Sequence, residues 1–553
     1  MYLQAHTSRK TNTPLSNNLM ENEFELIAKT FQGLEDLLAQ ELAEIGANNI
    51  KKGRRVVHFT GDTETMYRAN YMLRTAIRIL KPLKHFSARN ADEVYDTVRN
   101  YEWRNILDLK TTFAVDSVVY SENFSYSKFV AYKVKDAIVD YFRENCGKRP
   151  NISIANPDIR FHIHISDDDC TLSLDSSGES LHKRGYRVES VDAPINEVLA
   201  AGIVKLTGWN GECDYIDPMC GSATIPIEAC MMARNIAPGK FRKEFAFQKW
   251  ADYSESLFLS IKDSCTAQER PFEHRMYAYD VDANAVKAAK ANIIAAELDE
   301  DFVVDRRDFR DFKQPTEKAI MVINPPYGVR IKSDSALPLL YKAIGERLKH
   351  QFTGNEAWII CNSEELFQNI GLKPSIKIPL FNGSLDCQLQ KYQIFSGKFN
   401  EFRHEGNDIK TDRERRQMAD PHRFKVHREF KKRLDEDEQA DYGDIPDYVI
   451  RKHREFEENQ RRKERRATRD QRRPSHHDND DGRSFGPDAR KPYAAGGRRF
   501  EHNGNRSERQ DRRNFHDGKS YGRNSSHDGS RGDFRGKSGG EFRKGGERKG
   551  YKD

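Results

Sequence analysis

Four short groups of residues combine types and spacing suited to chemistry: DPMCGSAT at Asp217–Thr224, YDVD at Tyr279–Asp282, RRDF at Arg306–Phe309 and INPPYG at Ile323–Gly328. Each follows an apolar run that reads as a strand. In an open α/β sheet, ligands sit at the carboxyl ends of the strands. The small residues Gly221, Ser222 and Ala223 let backbone approach a ligand, and the N-terminus of the next helix favours anionic groups. Asp280 lies about 60 residues further on, at a spacing suited to a carboxylate that accepts two ribose hydroxyls. Asp282 stands where a helix N-cap belongs. Asp308 suits the exocyclic amine of an adenine and equally suits a plain surface carboxylate.

INPPYG is the unusual member of the set. An exocyclic amine on a nucleobase is a poor nucleophile, because its lone pair is delocalised into the ring. The side-chain carbonyl of Asn324 and the backbone carbonyl of Pro325 can accept both amine hydrogens. That would hold the nitrogen in line with an electrophilic methyl. Pro325 and Pro326 fix φ near −65° and remove two N–H donors, which leaves a stiff loop of carbonyls. Tyr327 can stack on a base taken out of its helix. Any one of these groups alone also fits a structural turn. Four in succession at strand ends are much harder to obtain by accident.

The elements that must position these groups follow from periodicity. INEVLAAGIVKLTGW reads as an amphipathic helix before the first strand. Strand, turn and helix then alternate through CDYIDPMCGSATIPIEACMMA and RMYAYDVDANAVKAAKANIIAAEL. FVVDRRDF, KAIMVINPPYG and EAWIICNSEELF add three strand ends, and IPLFNGSLDCQLQKYQIF reads as a hairpin. This alternation predicts a doubly wound, mainly parallel sheet over 181–400. Upstream, FELIAK through GRRVVHFTG reads strand, helix, strand, with helix and strand following, a small module over 22–69. A second α+β segment, over 70–180, has helices in DEVYDTVRN and SYSKFVAYKVKDAIVDYFREN. Its strands are FAVDSVVY, IRFHIHIS and CTLSLDSSG.

A chain of 553 residues is too long for one ordinary domain. Its formal charge of +6 hides an asymmetry: residues 401–553 carry 41 Lys+Arg against 32 Asp+Glu, a balance of +9, and the first 400 are left at −3. A mildly acidic body with a basic tail points to a polyanion near the tail. Residues 401–470 read as a charged, helical extension. Residues 471–553, rich in Arg, Gly, Ser and Asn, bury too little apolar surface to fold. Segments such as RGDFRGKSGGEFRKGG can bind RNA by phosphate contacts and stacking, or act as a solubilising tail. The eight scattered cysteines form no CxxC pair and no cluster at metal spacing, which predicts a reducing compartment and no metal site. No run approaches the roughly 18–20 apolar residues of a membrane span, so the expectation is a soluble, cytoplasmic protein. Residues 1–21 read as a disordered lead-in, or Met20 is the start.

DPMCGSAT, YDVD and INPPYG, in this order, resemble the class I S-adenosylmethionine-dependent methyltransferases that act on amino groups. YRANYMLRTAIRIL, DAIVDYFRENCGKRP, LSLDSSGESLHKRGYR, DAPINEVLAAGIVKLTGW and FNGSLDCQL narrow this to the THUMP-containing RNA guanine-N2 methyltransferases, most of all the RlmL/YcbY type that modifies large-subunit (23S) ribosomal RNA. The resemblance runs from about residue 22 to 400. It implies a ferredoxin-like module over 22–69, a THUMP RNA-binding domain over 70–180 and a Rossmann-like catalytic domain over 181–400. It further implies that Asp217, Pro218, Cys220, Gly221, Ser222, Ala223 and Thr224 surround the methionine part of S-adenosylmethionine, with Ala193, Pro194 and Asn196 in contact as well. Asp280 would take the ribose and Asp308 the adenine. Asn324 with Pro325 would orient the guanine amine, and Tyr327 would stack on the base.

Lys148, Arg149, Lys183, Arg184 and Arg187 are candidates for RNA phosphate contacts. The partner expected is ribosomal RNA, free or in a pre-ribosomal particle; nothing bears on oligomeric state. Two features depart from the family pattern: Ala223 stands where a glycine is usual, and the second methyltransferase module of some relatives is missing. Competing readings are guanine-N2 methylation of tRNA, glutamine methylation in a protein and a non-catalytic RNA-binding assembly factor, which Ala223 favours.

Overall fold

The computed structural model describes residues 23–397 apart from 125, 328–335 and 384. The expected extension over 401–470 and the tail over 471–553 lie outside the described residues, as does the lead-in over 1–21.

The first half combines eight strands with four α-helices among the described residues. In chain order they are β1 (Phe24–Lys29), α1 (Glu35–Glu44), β2 (Asn48–Lys52), β3 (Val56–Gly61), α2 (Thr63–Met72), β4 (Arg78–Ser87), α3 (Ala91–Arg99), β5 (Thr112–Tyr120), α4 (Ser127–Cys146), β6 (Asn151–Ile152), β7 (Ile159–Ser166) and β8 (Asp169–Asp175). Side chains cap α2 and α3. Asp62 accepts from Thr65 N ahead of α2, and Asn90 accepts from Asp92 N and Glu93 N ahead of α3. The eight strands form one sheet, ordered β2-β3-β1-β4-β8-β7-β5-β6. The long strand β4 joins its halves, pairing with β1 over Arg78–Leu80 and with β8 from Leu80 to Ser87. The division expected at residues 69 and 70 falls inside α2, and the two expected modules share one sheet.

The second half holds α5 (Glu197–Thr207), β9 (Asp214–Asp217), α6 (Thr224–Ala233), α7 (Glu255–Ala267), β10 (Met276–Asp280), α8 (Ala283–Ala295), β11 (Phe302–Arg306), β12 (Ala319–Ile323), α9 (Ala336–Gln351), β13 (Glu356–Cys361), α10 (Glu364–Asn369), β14 (Ile376–Asn382) and β15 (Leu385–Gln393). Its sheet runs β11-β10-β9-β12-β13-β15-β14. The first five strands are parallel, and β15 and β14 close it as an antiparallel hairpin. The chain starts at β9, steps outward to β11 and returns to β12 on the other side. Such a reversal opens a crevice at the carboxyl ends of β9 and β12.

Helix α5 is not amphipathic as expected: every residue from Glu197 to Val204 is buried, and Leu206 too. One side faces α6, and on the other Leu34 comes so close that a Cβ at Gly202 would lie 2.7 Å from its Cδ1. Nor do the halves pack only edge to edge. Phe245, Phe247 and Phe258, from the segment between α6 and α7 and from α7 itself, belong to the core of the first half, with the Phe247 ring stacked 4.3 Å from that of Tyr67. A buried polar seam also joins them. Arg184 donates to Glu228 of α6 (3.3 Å) and to the Arg74 carbonyl (2.6 Å), Arg74 donates to the Ile236 carbonyl (2.6 Å), and the Tyr186 hydroxyl donates to Glu228 (2.9 Å). Removing one partner of such a buried pair typically costs about 3–5 kcal/mol.

Candidate active site

Strand β9 delivers Asp217, 1 % exposed, to its carboxyl end. The chain then turns sharply, because successive amides find partners nearby. Asp217 Oδ1 accepts from Met219 N (3.1 Å), the Tyr279 carbonyl accepts from Cys220 N (2.9 Å), and Asp280 Oδ2 accepts from Gly221 N (2.9 Å). Gly221 and Ala223 both take positive φ, +56° and +64°, before α6 begins at Thr224. For Gly221 this costs no steric strain; for Ala223 the left-handed region costs roughly 1–2 kcal/mol.

The turn faces a strap of chain from Val188 to Ile195. Between them lies a cleft lined by Val191–Ile195, Asp217, Met219–Ser222, Thr224, Ile225 and Asn324. Asn324 comes from the end of β12, and its Oδ1 is buried with no hydrogen-bond partner among the described residues. A buried carbonyl oxygen without a donor is costly, and this one borders a cleft. Burial raises the Asp217 carboxyl well above the usual carboxylate range; its bond from Met219 N opposes this, and the Asp280 charge adds to it. Among the described residues no cation pairs with Asp217. An acidic group without a counter-charge, a turn of small residues and an unpartnered carbonyl therefore share one crevice, which suits a ligand that brings positive charge and N–H donors.

The cleft thus gathers Ala193, Pro194, Asp217, Cys220, Gly221, Ser222, Thr224 and Asn324, with Pro218 and Ala223 in the same turn. Asp280 joins through Gly221 N. Asp282 caps α8, accepting from Asn284 N at 2.9 Å. Asn196 uses its side chain to cap α5, accepting from Val198 N at 2.9 Å. Asp308, beyond β11, is outside the cleft lining. Its carboxylate accepts from Arg310 N (2.9 Å) and Arg310 Nε (3.0 and 3.1 Å), and that guanidinium holds it below its ordinary range.

Three expectations change. Tyr327 is 2 % exposed and lies in the core, its hydroxyl accepting from Asn382 Nδ2 (2.9 Å), so its ring does not present a face for stacking. Arg184, 2 % exposed, is spent on the polar seam and offers nothing to a phosphate. Arg187 turns inward to Glu197 (2.8 Å), the Ile195 carbonyl (3.0 Å) and Ser222 Oγ (3.4 Å). Tyr327 and Arg184 found partners far away in sequence, and Arg187 found Glu197 and Ile195 within ten residues and Ser222 further on. Lys148 and Arg149 are exposed after α4; Lys183 is exposed and paired with Glu179 (3.0 Å). Sequence reasoning passed over Val191 and Ile225 in the lining, which stand outside the DPMCGSAT group. It also passed over Asn292, 1 % exposed, which donates to the Ser222 carbonyl (3.0 Å). Its one signal is an asparagine on an alanine-rich helix face.

Among the described residues no group of three His, Cys, Asp or Glu side chains could hold a metal ion, and no helix is long and apolar enough to cross a membrane.

Residues 25–80 match the family described as the RlmL ferredoxin-like domain, residues 88–175 the THUMP domain, and residues 184–391 the RMKL-like methyltransferase domain. The Synechocystis sp. protein slr0064, provisionally named an RNA methyltransferase, is 36 % identical over 369 residues, covering 66 % of this chain and 96 % of that one. Two proteins named ribosomal RNA large subunit methyltransferase K/L are similar as well. That of Cellvibrio japonicus is 37 % identical, over 66 % of this chain and 51 % of its own length. That of Desulfotalea psychrophila is 35 % identical, over 73 % and 57 %. The chain therefore spans about half the length of these K/L relatives. The crystal structure of SMU.472, a provisionally assigned methyltransferase complexed with SAH, superposes with a TM-score of 0.62 at 30 % identity, over 68 % of this chain and all of that one. With these matches over the fold and cleft described, the chain belongs to the THUMP-containing, RMKL-like methyltransferase family.

Proposed function

We propose that this protein transfers a methyl group from S-adenosylmethionine to the exocyclic N2 amine of a guanosine in large-subunit ribosomal RNA. The observation that carries the reading is Asn324: a buried carbonyl oxygen at a strand end, without a partner among the described residues, on the rim of a cleft that also holds Asp217. The K/L relatives and the THUMP match support RNA as the substrate, and the SAH complex of SMU.472 supports the cofactor. Bound S-adenosylmethionine supplies an electrophilic methyl on a positively charged sulfonium.

The chain's own residues supply placement. That cation would favour the ionised form of Asp217, which burial keeps protonated in the cofactor-free protein, and the same burial strengthens the attraction once the charge forms. Gly221 and Ser222 bring backbone against the cofactor. Asp280, whose carboxylate is fixed by Gly221 N and Asp282 N, would accept from the ribose hydroxyls. Asn324 Oδ1 and the Pro325 carbonyl accept the two amine hydrogens and aim the nitrogen lone pair along the line of attack. As the new N–C bond forms and the S–C bond breaks, the amine loses one proton to solvent. Catalysis on this reading is alignment and charge placement.

The full chain should bind S-adenosylmethionine, and absence of binding would sink the proposal. Asn324→Ala should lower methylation by about 10² or more while cofactor affinity changes less than about threefold; equal loss of both would make the loop structural. Mass spectrometry of ribosomal and transfer RNA from a strain lacking the gene should show one missing N2-methylguanosine in large-subunit RNA. A deficit in transfer RNA instead would reassign the substrate, and no deficit would favour a non-catalytic RNA-binding role.

A further inference from the structure

The strap Val188–Ile195 forms one wall of the cleft, yet little of its own chemistry holds it there. Val188 is 63 % exposed, and Glu189, Ser190, Asp192, Ala193 and Pro194 are exposed too. It forms neither helix nor strand. Its anchor lies about a hundred residues away in the chain. Asn292, on the inner face of α8, accepts at Oδ1 from Val188 N (2.8 Å) and Glu189 N (3.0 Å), and donates from Nδ2 to the Glu189 carbonyl (2.9 Å) and the Ser222 carbonyl (3.0 Å). Those four bonds use both amide hydrogens and both lone-pair directions of the side chain. None goes to α8 itself. A buried amide is tolerated only when satisfied, and this one is satisfied only when strap and turn are both in position.

The second anchor converges on the same residue of the turn. Arg187 Nη2 donates to the Ile195 carbonyl and Nη1 to Ser222 Oγ. Ser222 is therefore gripped twice, at its carbonyl by Asn292 and at its hydroxyl by Arg187. Between the anchors, Val191 approaches the turn: a Cβ at Gly221 would lie 3.7 Å from its Cγ2.

We infer that Asn292 is a positioning residue for the cofactor cleft, which ties the strap to the Ser222 turn so that both walls are set before the cofactor arrives. The inference rests on the methyltransferase reading of the cleft. An untethered strap would have to be ordered by the ligand, and that ordering would be subtracted from affinity. An asparagine is a weaker helix former than the alanines around it, which accords with selection for the clamp over the helix.

The test uses the full chain, wild type, Asn292→Ala and Asn292→Asp. The aspartate keeps the shape and Oδ1 but turns the Nδ2 donor into an acceptor facing two carbonyls. In cofactor-free protein, amide hydrogen exchange should accelerate over Val188–Ile195 and the Ser222 turn, and remain as in wild type over β9, β10 and the rest of α8. SAH affinity by calorimetry should fall roughly tenfold in each variant, the worth of about one good hydrogen bond. The rate at saturating S-adenosylmethionine and the KM for RNA should stay within about twofold of wild type. Accelerated exchange throughout the second sheet would overturn the inference in favour of plain core packing. So would unchanged SAH affinity in variants that fold. Should the alanine variant not fold, the aspartate variant decides on the same readouts. A wild-type chain that binds no SAH overturns the methyltransferase reading and this inference together; tight wild-type binding with equal binding by both variants overturns the inference alone.

Discussion

Ala223 is fully buried with φ +64°, in a conformation that glycine adopts freely. Replacing it with glycine removes roughly 1–2 kcal/mol of left-handed strain, but costs about 0.8 kcal/mol of methyl burial and about 0.4–1 kcal/mol of chain entropy. These nearly cancel, so Ala223→Gly should change stability by less than about 1 kcal/mol in urea unfolding. Ala223→Val, β-branched in the same conformation, should lose roughly 2 kcal/mol or more. A glycine variant destabilised by as much would mean that the turn is not strained. Asp217 makes a second prediction at this scale. Its carboxyl holds a proton more tightly when folded than unfolded, so its stabilising contribution is complete below about pH 4 and fades as pH rises through the elevated folded value. In cofactor-free protein, Asp217→Asn should therefore match wild type in acid and gain in melting temperature over it as pH rises, by about 2–4 °C for each kcal/mol. Parallel curves for the two proteins would show that Asp217 finds a counter-charge.

At the scale of elements, the loop after β12 is held by the β14–β15 hairpin. Asn382 donates to the Tyr327 hydroxyl. Burial pushes the Cys387 thiol up to about 12, opposed by its hydrogen bond with Tyr327. Tyr327 thus acts as a peg that sets where Asn324 and Pro325 point, although its ring chemistry reads from sequence as a stacking surface. Tyr327→Phe separates the two roles, since a phenyl ring still stacks but cannot be pegged. The variant should lose about tenfold in methylation rate, on the scale of small misplacements in a site, with unchanged SAH affinity. Full activity would restore the stacking role. Helix α5 shows the same limit of local reading. Its apolar spacing announces a helix, but only the approach of Leu34 and α6 makes every side an inside. Peg and helix alike depend on contacts from distant segments, which periodicity does not encode.

At the scale of the whole molecule, the two halves are coupled by the aromatic segment before α7 and by the Arg184–Glu228 seam, so the THUMP-bearing half and the cleft are held in one arrangement. Deleting residues 398–553, with their excess of positive charge, should leave that arrangement and methyl transfer in place. It should also weaken RNA affinity, most strongly at low salt where counterion release is greatest. A truncated protein that folds but does not turn over would place essential residues beyond 397.

Residue types and local spacing were enough to mark the strand ends as the candidate site. Gly221, Asp280 and the Asn-Pro-Pro-Tyr loop can be recognised because strand, turn and helix signals are local, and because residue type dictates which atoms can accept or donate. The tertiary structure alone decided which of those atoms remain available. Among the described residues Asn324 Oδ1 is left without a partner, whereas Asn196, Asp308, Arg184, Arg187 and Tyr327 are engaged by neighbours. Likewise Asn292, an ordinary asparagine in an alanine-rich helix, became a clamp once folding brought four distant backbone groups within reach. Buried polar groups must be satisfied, and what satisfies them is a matter of distance in space that no spacing along the chain records.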